Sequence, residues 1–423
     1  MAPSLLRGMQ PKLRTSKIIF DLRQHKPQSR EAEMSDMITA LAPPARAMPE
    51  SGIVKLFNYG RNREGLIALW AGEGDTPTPE LIRAGAIAAL NEGQTFYTFQ
   101  RGIPPLREAL AAYFARLYDR QFSDEEFFVT CGGMQAIQMA VQLVVGHGDE
   151  VIVPAPGWPN FEGAILSRGG VPRSVPMQFG AAGWTLDLDR LFDACGDRTR
   201  AIFINTPSNP TGWTASADEL RAILEFARAR GIWIIADEIY GRFYYEGGVA
   251  PSFQTMREPG DHILFVQTFS KNWAMTGWRM GWLQAPPELG QTIENLIQYN
   301  TSGVPTFLQP AGVVALGEGE AVAREQIARA AEGRRIVCSA IEPFGNVKFA
   351  WPAGAFYLLF GMDGVTNSLD TAMKLVDEAA IGLAPGSAFG PEGEGYFRLC
   401  YLRSPDRLRE AMARLTAWLE QRR

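Results

Sequence analysis

Residues 262–282 read HILFVQTFSKNWAMTGWRMGW, and this stretch decides the fold. Its first third is a run of large apolar residues with little polar alternation, which predicts a strand buried on both faces. The strand runs into Thr268, Ser270 and Lys271, with Arg279 eight positions beyond the lysine. The same texture recurs upstream in EFFVT (126–130), EVIVPA (150–155), AIFIN (201–205) and IWIIAD (232–237). Between these runs lie stretches of helical period: PELIRAGAIAALNEG (79–93), PPLREALAAYFARLY (104–118), a segment from Gly133, and SADELRAILEFARARG (216–231). Strands without a wet face, alternating with helices, predict an α/β fold with a mostly parallel central sheet covered by helices.

After residue 310 the pattern changes. A long charged helical stretch, 317–343, leads into FAWPAGAFYLLF (349–360), which reads as an antiparallel hairpin, then YFRLCYL (396–402) and a closing helix. The expected division is therefore a large domain over 86–310 and a smaller α+β domain over 311–423, with 46–85 packing against the latter. Residues 1–45 carry Arg7, Lys12, Arg14, Lys17, Arg23, Lys26 and Arg30 before acids become common. That stretch reads as a basic, flexible extension; a transit-type segment or an upstream start ahead of Met34 or Met37 are the other readings.

Composition narrows the function classes. A net charge of −5 argues against a nucleic-acid binder with a basic surface. No run reaches the roughly 20 apolar residues needed to cross a bilayer. Cys131, Cys195, Cys338 and Cys400 are scattered without a CxxC pair, which suits reduced thiols in a cytoplasm. His25, His147 and His262 have no partner at metal-ligand spacing, so no metal site and no histidine-based hydrolase is expected.

The chemistry lies at the strand ends. A lysine after a strand is ordinarily a solvated residue, but at the open end of an α/β sheet it can be desolvated, lose its proton and attack an aldehyde. One strand earlier, Asp237 ends IWIIA, where a carboxylate is costly without a cationic partner. A helix N-cap is the plain alternative. One strand earlier again, NTPSNPTG (205–212) is a turn with Asn209 at its centre. An amide, an acid and an amine at three sheet ends are what pyridoxal 5′-phosphate needs at its phenolic oxygen, ring nitrogen and aldehyde.

With these residues in place, the chain from about residue 53 onward resembles the fold-type I pyridoxal-phosphate enzymes of the class I/II aminotransferase family. The resemblance implies that Lys271 of TFSK holds the cofactor as a Schiff base, with Thr268 and Ser270 offering hydroxyls and Arg279 gripping the phosphate. It implies that Asp237 meets the ring nitrogen, that Tyr240 and Asn209 meet the phenolic oxygen, and that Trp158 stacks on the ring. The loop VTCGGMQAI implies a phosphate cradle from the N–H groups of Gly132, Gly133 and Met134, though two glycines alone are an ordinary tight turn. Tyr97 is the residue expected to reach a neighbouring subunit's phosphate, which implies a homodimer with shared sites. Gly72, Asn209 and Arg398 are implied in binding the substrate, Arg398 through its α-carboxylate.

The implied reaction moves an amino group from an L-amino acid to a 2-oxo acid. A lyase or cyclopropane-forming synthase on the same cradle is the alternative, and a non-catalytic cofactor sensor is the least favoured. Relatives that favour dicarboxylates often use a second arginine where this chain has Gln298, so neutral, apolar or aromatic donors are expected to lead unless Arg61 or Arg63 substitutes.

Overall fold

Seven strands build the principal sheet of the computed structural model, which describes residues 37–422. They are β1 (Phe127–Thr130), β2 (Glu150–Ala155), β3 (Val171–Pro176), β4 (Thr199–Asn205), β5 (Trp233–Asp237), β6 (Ile263–Thr268) and β7 (Gly281–Gln284). Their order across the sheet is β1-β7-β6-β5-β4-β2-β3. Only β7 runs against its neighbours, β1 and β6; the β2–β3, β2–β4, β4–β5 and β5–β6 pairs are parallel. The sheet is thus mostly parallel, as expected. The antiparallel β7 was not anticipated, because GWLQ has too few apolar residues to stand out beside the motif before it.

Burial explains the apolar runs. Ile152, Ile202 and Ile234 pack on one face with Leu220, Ile223, Leu224 and Ala227 of the helix Ala217–Arg230. Their neighbours Val151, Val153, Ala201, Phe203 and Ile235 pack on the other face with Ala136, Ile137, Ala140 and Val141 of the helix Gly133–Val144. Successive side chains point to opposite faces, so a strand covered on both sides must be apolar at every position.

A second sheet is formed by β8 (Val347–Lys348), β9 (Tyr357–Met362), β10 (Ala384–Pro385) and β11 (Tyr396–Cys400), in the order β8-β9-β11-β10 and antiparallel throughout. The helices Glu320–Ile341 and Pro405–Glu420 contribute Val337, Ile341, Leu408 and Leu415 to its core. The antiparallel hairpin expected over 349–360 is present with shifted bounds: Val347–Lys348 pairs with Gly361–Met362, and residues 349–352 belong to the connection and form no strand. Ile67–Ala68 pairs in parallel with Ile381–Gly382, tying the early segment to this region.

Residues 47–422 form one compact unit, and the described residues 37–46 belong to another. Within the latter, Pro43–Arg46 is a short helix; the basic stretch read as a flexible extension lies, up to residue 36, outside the described residues. Among the described residues no helix is long and apolar enough to cross a membrane.

Candidate active site

β4, β5 and β6 lie side by side, so their carboxyl ends deliver neighbouring groups to one edge; Asn205 and Asp237 are register partners. Beyond β6 the chain turns tightly. The Thr268 hydroxyl accepts the Ser270 N–H at 3.1 Å and lies 2.9 Å from the Ser270 hydroxyl. Lys271 follows, and its Nζ donates to the Gly72 carbonyl at 2.8 Å. Burial lowers the Lys271 pKa to about 8, with Arg398 and Arg279 acting in the same direction and Glu73 against them.

Asp237 is only 1% exposed. Its Oδ1 accepts the Ile239 N–H at 3.4 Å, and its backbone carbonyl accepts Asn205 Nδ2 at 3.0 Å. Burial pushes the carboxyl pKa up to about 7, against the pull of Ile239 and Lys271. Among the described residues it makes no ion pair. Asn205 Oδ1 accepts the Asn209 N–H at 2.8 Å, and Asn209 Oδ1 accepts from Arg398 Nη1 at 3.0 Å.

Arg398, on β11, is 3% exposed yet has no carboxylate partner among the described residues. Its Nη2 donates to the Trp70 carbonyl, its Nε is buried without a partner, and its guanidinium lies 4.6 Å from the Tyr357 ring centroid and 4.9 Å from that of Phe389. The Tyr240 and Tyr357 hydroxyls are 2.8 Å apart. A Cβ on Gly72 would stand 2.2 Å from the Tyr357 oxygen, so only glycine lets the chain pass there.

These groups share a cleft of about 300 Å³. Of the residues singled out in the sequence, Gly72, Trp158, Asn209, Asp237, Tyr240, Lys271 and Arg398 line it. Gly132 lies against Arg279, Gly133 against Thr268, and Thr268 beside Ser270, which precedes Lys271. Gly132 has φ 82°, and a Cβ there would sit 2.7 Å from Arg279 Nη2. The helix beginning at Gly133 leaves its first N–H groups without helical acceptors, which suits an anion. Met134 lines an adjoining chamber of about 530 Å³. Tyr97 is 96% exposed and does not line the cleft of its own chain. Gln298 is exposed and accepts from Gln100 at 2.8 Å, while Arg63 is engaged with Asp377.

Sequence reasoning missed Tyr357, Trp70, Ser51, Ile53, Val54 and Asn160 as lining residues. Tyr357 had a usable signal, a hydroxyl in an otherwise apolar run. Trp70 bonds Arg398 through a backbone carbonyl, which no side-chain pattern reveals.

The arrangement fits a phosphorylated pyridine aldehyde on three counts: a near-neutral amine, a buried carboxylate without a cation, and an anion cradle that a single Cβ would crowd. Comparisons with known proteins agree. Residues 65–415 match the family described as aminotransferase class I and II. An aspartate aminotransferase from Pyrococcus horikoshii is 33% identical over 373 residues, 88% of this chain and 95% of that protein. An aromatic-amino-acid aminotransferase from Thermococcus litoralis is 34% identical, over 88% of this chain and 96% of that protein. The solved structure of a Thermotoga maritima aspartate aminotransferase superimposes with a TM-score of 0.84 at 31% identity, covering 90% of this chain and 100% of that one. The chain therefore belongs to the class I and II aminotransferase family, whose members are pyridoxal-phosphate-dependent transferases.

Proposed function

We propose that the cleft around Lys271 is the catalytic centre, where an amino group passes from an L-amino acid to a 2-oxo acid. The observation that carries this reading is the juxtaposition of Lys271, lowered to about pKa 8, with Asp237 and Arg398, neither of which has a counter-ion among the described residues. Pyridoxal 5′-phosphate, when bound, supplies an electron sink for the pair left behind when a bond at the substrate Cα breaks.

Each residue then has a role. Lys271 holds the cofactor through Nζ and, once released, takes the proton from Cα. A pKa of about 8 leaves about a tenth of such amines neutral at pH 7, against roughly 0.03% for an ordinary lysine. Asp237 keeps the ring nitrogen protonated, and Tyr240 and Asn209 face the phenolic oxygen. Gly132, Gly133, Met134, Thr268, Ser270 and Arg279 hold the phosphate, and Trp158 covers the ring. Arg398 takes the substrate carboxylate with its free edge, beside Asn209 and Gly72.

The chain works as a homodimer in this reading, with Tyr97 reaching the partner's phosphate; its near-complete exposure supports that. The division into 46–85, 86–310 and 311–423 is supported by the two separate sheets and by the pairing of Ile67–Ala68 with Ile381–Gly382. Unpaired cysteines favour a cytoplasmic setting. Neutral or aromatic donors are favoured over aspartate. Apart from Lys271 and Arg398 no described basic residue lines the cleft, and the adjoining chamber, which shares Ser51 and Asn160 with it, is lined by Glu50 and Glu162.

The test is reduction of the cofactor-loaded protein with borohydride followed by peptide mapping, together with a phenylalanine and 2-oxoglutarate assay. The label belongs on Lys271, and phenylpyruvate must appear with an equal amount of glutamate. A label on another lysine, or oxo acid released as ammonia forms without an acceptor, overturns the proposal.

A further inference from the structure

Tyr357 touches both ends of the cleft and has no role above. It opens β9, is 1% exposed, and pairs across the sheet with Cys400, two residues from Arg398. We propose that Tyr357 is a positioning residue that couples the two halves of the site, its hydroxyl aiming that of Tyr240 and its ring carrying the guanidinium of Arg398. The proposal rests on the reading of the cleft given above.

The hydroxyl half follows from counting protons. Tyr240 and Tyr357 are both buried, and their oxygens are 2.8 Å apart. Each hydroxyl brings one proton, and either can donate to the other. If Tyr357 donates, Tyr240 is left with its own proton free to point into the cleft, where Asp237 and Lys271 also face. If Tyr240 donates, that proton is turned away. Neither hydroxyl has another hydrogen-bond partner among the described residues, so the Tyr240 proton gains an acceptor only from a group bound in the cleft, and that requires Tyr357 to be the donor of the pair. Gly72 makes the arrangement reachable, since any side chain there would strike the Tyr357 oxygen.

The ring half follows from packing. The guanidinium lies 4.6 Å from the Tyr357 ring and 4.9 Å from Phe389. A planar cation bounded by two ring faces, and bonded to Asn209 and the Trp70 carbonyl, is fixed in tilt as well as in place.

Two variants separate the halves. Tyr357→Phe keeps ring and volume and removes only the hydroxyl; Tyr357→Leu removes both. The readouts are the pH midpoint of the visible band of the cofactor-loaded protein and the dissociation constant of 3-phenylpropanoate, a carboxylate that cannot react. A donor at the phenolic oxygen draws electron density away from the nitrogen that Lys271 contributes, so weakening that donor lets the nitrogen keep its proton to higher pH. Tyr357→Phe should raise the midpoint by up to about one pH unit, the worth of one hydrogen bond, and leave 3-phenylpropanoate affinity within about twofold of wild type. Tyr357→Leu should in addition weaken 3-phenylpropanoate by about 2- to 30-fold. Tyr240→Phe should raise the midpoint further than Tyr357→Phe, and the double variant no further than Tyr240→Phe alone, because one group acts through the other. Additive shifts, or a Tyr357→Phe midpoint equal to wild type, overturn the coupling while leaving the role of Lys271 intact. A wild-type protein without a pH-dependent band overturns both.

Discussion

Replacing Asp237 by Asn should make the cofactor-free protein more stable, not less, and only above a certain pH. The carboxyl titrates at about 7 in the fold, driven up by burial, against 3.8 for an ordinary aspartate. A group whose folded pKa is raised contributes most to stability when protonated, below 3.8, and that contribution is lost as pH rises toward 7. At about 1.36 kcal/mol per pH unit the full penalty at pH 8 is about 4 kcal/mol, and at pH 5 it is already about 1.6 kcal/mol. Asn is nearly isosteric and carries no charge, so the penalty disappears, while its Oδ1 can still accept the Ile239 N–H. Denaturant unfolding of both cofactor-free proteins should show the variant gaining about 2–3 kcal/mol on wild type between pH 5 and pH 8. Adding pyridoxal 5′-phosphate should reverse the order, since the wild-type carboxylate then meets a cationic ring nitrogen and the amide does not. If the two cofactor-free proteins keep a constant gap from pH 5 to pH 8, Asp237 is not a buried, uncompensated acid and the argument fails.

Lys271→Ala should still bind the cofactor weakly through the phosphate cradle but lose nearly all turnover, measured by absorbance and by single-turnover kinetics, because nucleophile and proton carrier vanish together. Arg398→Lys should lower kcat/KM about tenfold to a hundredfold for every amino donor, since an ammonium cannot reproduce a two-pronged contact worth roughly 1.5–3 kcal/mol; equal values in parallel assays would remove Arg398 from carboxylate binding. Phenylalanine and leucine should outperform aspartate and glutamate as donors in side-by-side kinetics. An aspartate lead above about tenfold would show that a cation outside the described residues or on a partner completes the pocket, since tenfold corresponds to about 1.4 kcal/mol, the scale of one such ionic contact.

What could be read in advance followed from burial. β4, β5 and β6 stand out because residues 201–204, 234–237 and 263–268 are all buried, and Asp237 and Lys271 stand out because a polar group at the end of such a run needs a reason to be there. Gly132 and Arg279 were legible as members of spaced motifs. Tyr357 showed only a hydroxyl in an apolar run, and what it contacts was not legible, since its partners Tyr240 and Arg398 lie 117 and 41 positions away and meet it only when the two sheets come together. Trp70 enters through its backbone, and Ser51 and Asn160 lie on a helix cap and a first helical turn, positions whose residues are explained locally without any site. The hairpin over 349–360 was read with its first strand a few residues late, because Val347–Lys348 is only two residues long and too short to show a period.

The arrangement of charge in the cleft argues for ligands of both signs. Arg398 and Asp237 are both almost completely buried and line one cleft, so direct pairing would be the cheapest way to bury them. Two amides stand between them instead. Asn205 bonds the Asp237 carbonyl with its nitrogen and the Asn209 N–H with its oxygen, and Asn209 takes Arg398 with its own oxygen. A neutral amide can satisfy a donor on one side and an acceptor on the other without cancelling either charge, which a carboxylate or an ammonium in its place could not do. In the proposed function, the cation is thereby kept available for a carboxylate and the acid for a protonated ring nitrogen. Leaving two buried charges uncompensated costs stability, as the raised pKa of Asp237 indicates, and in the proposed function the binding of cofactor and substrate offsets that cost.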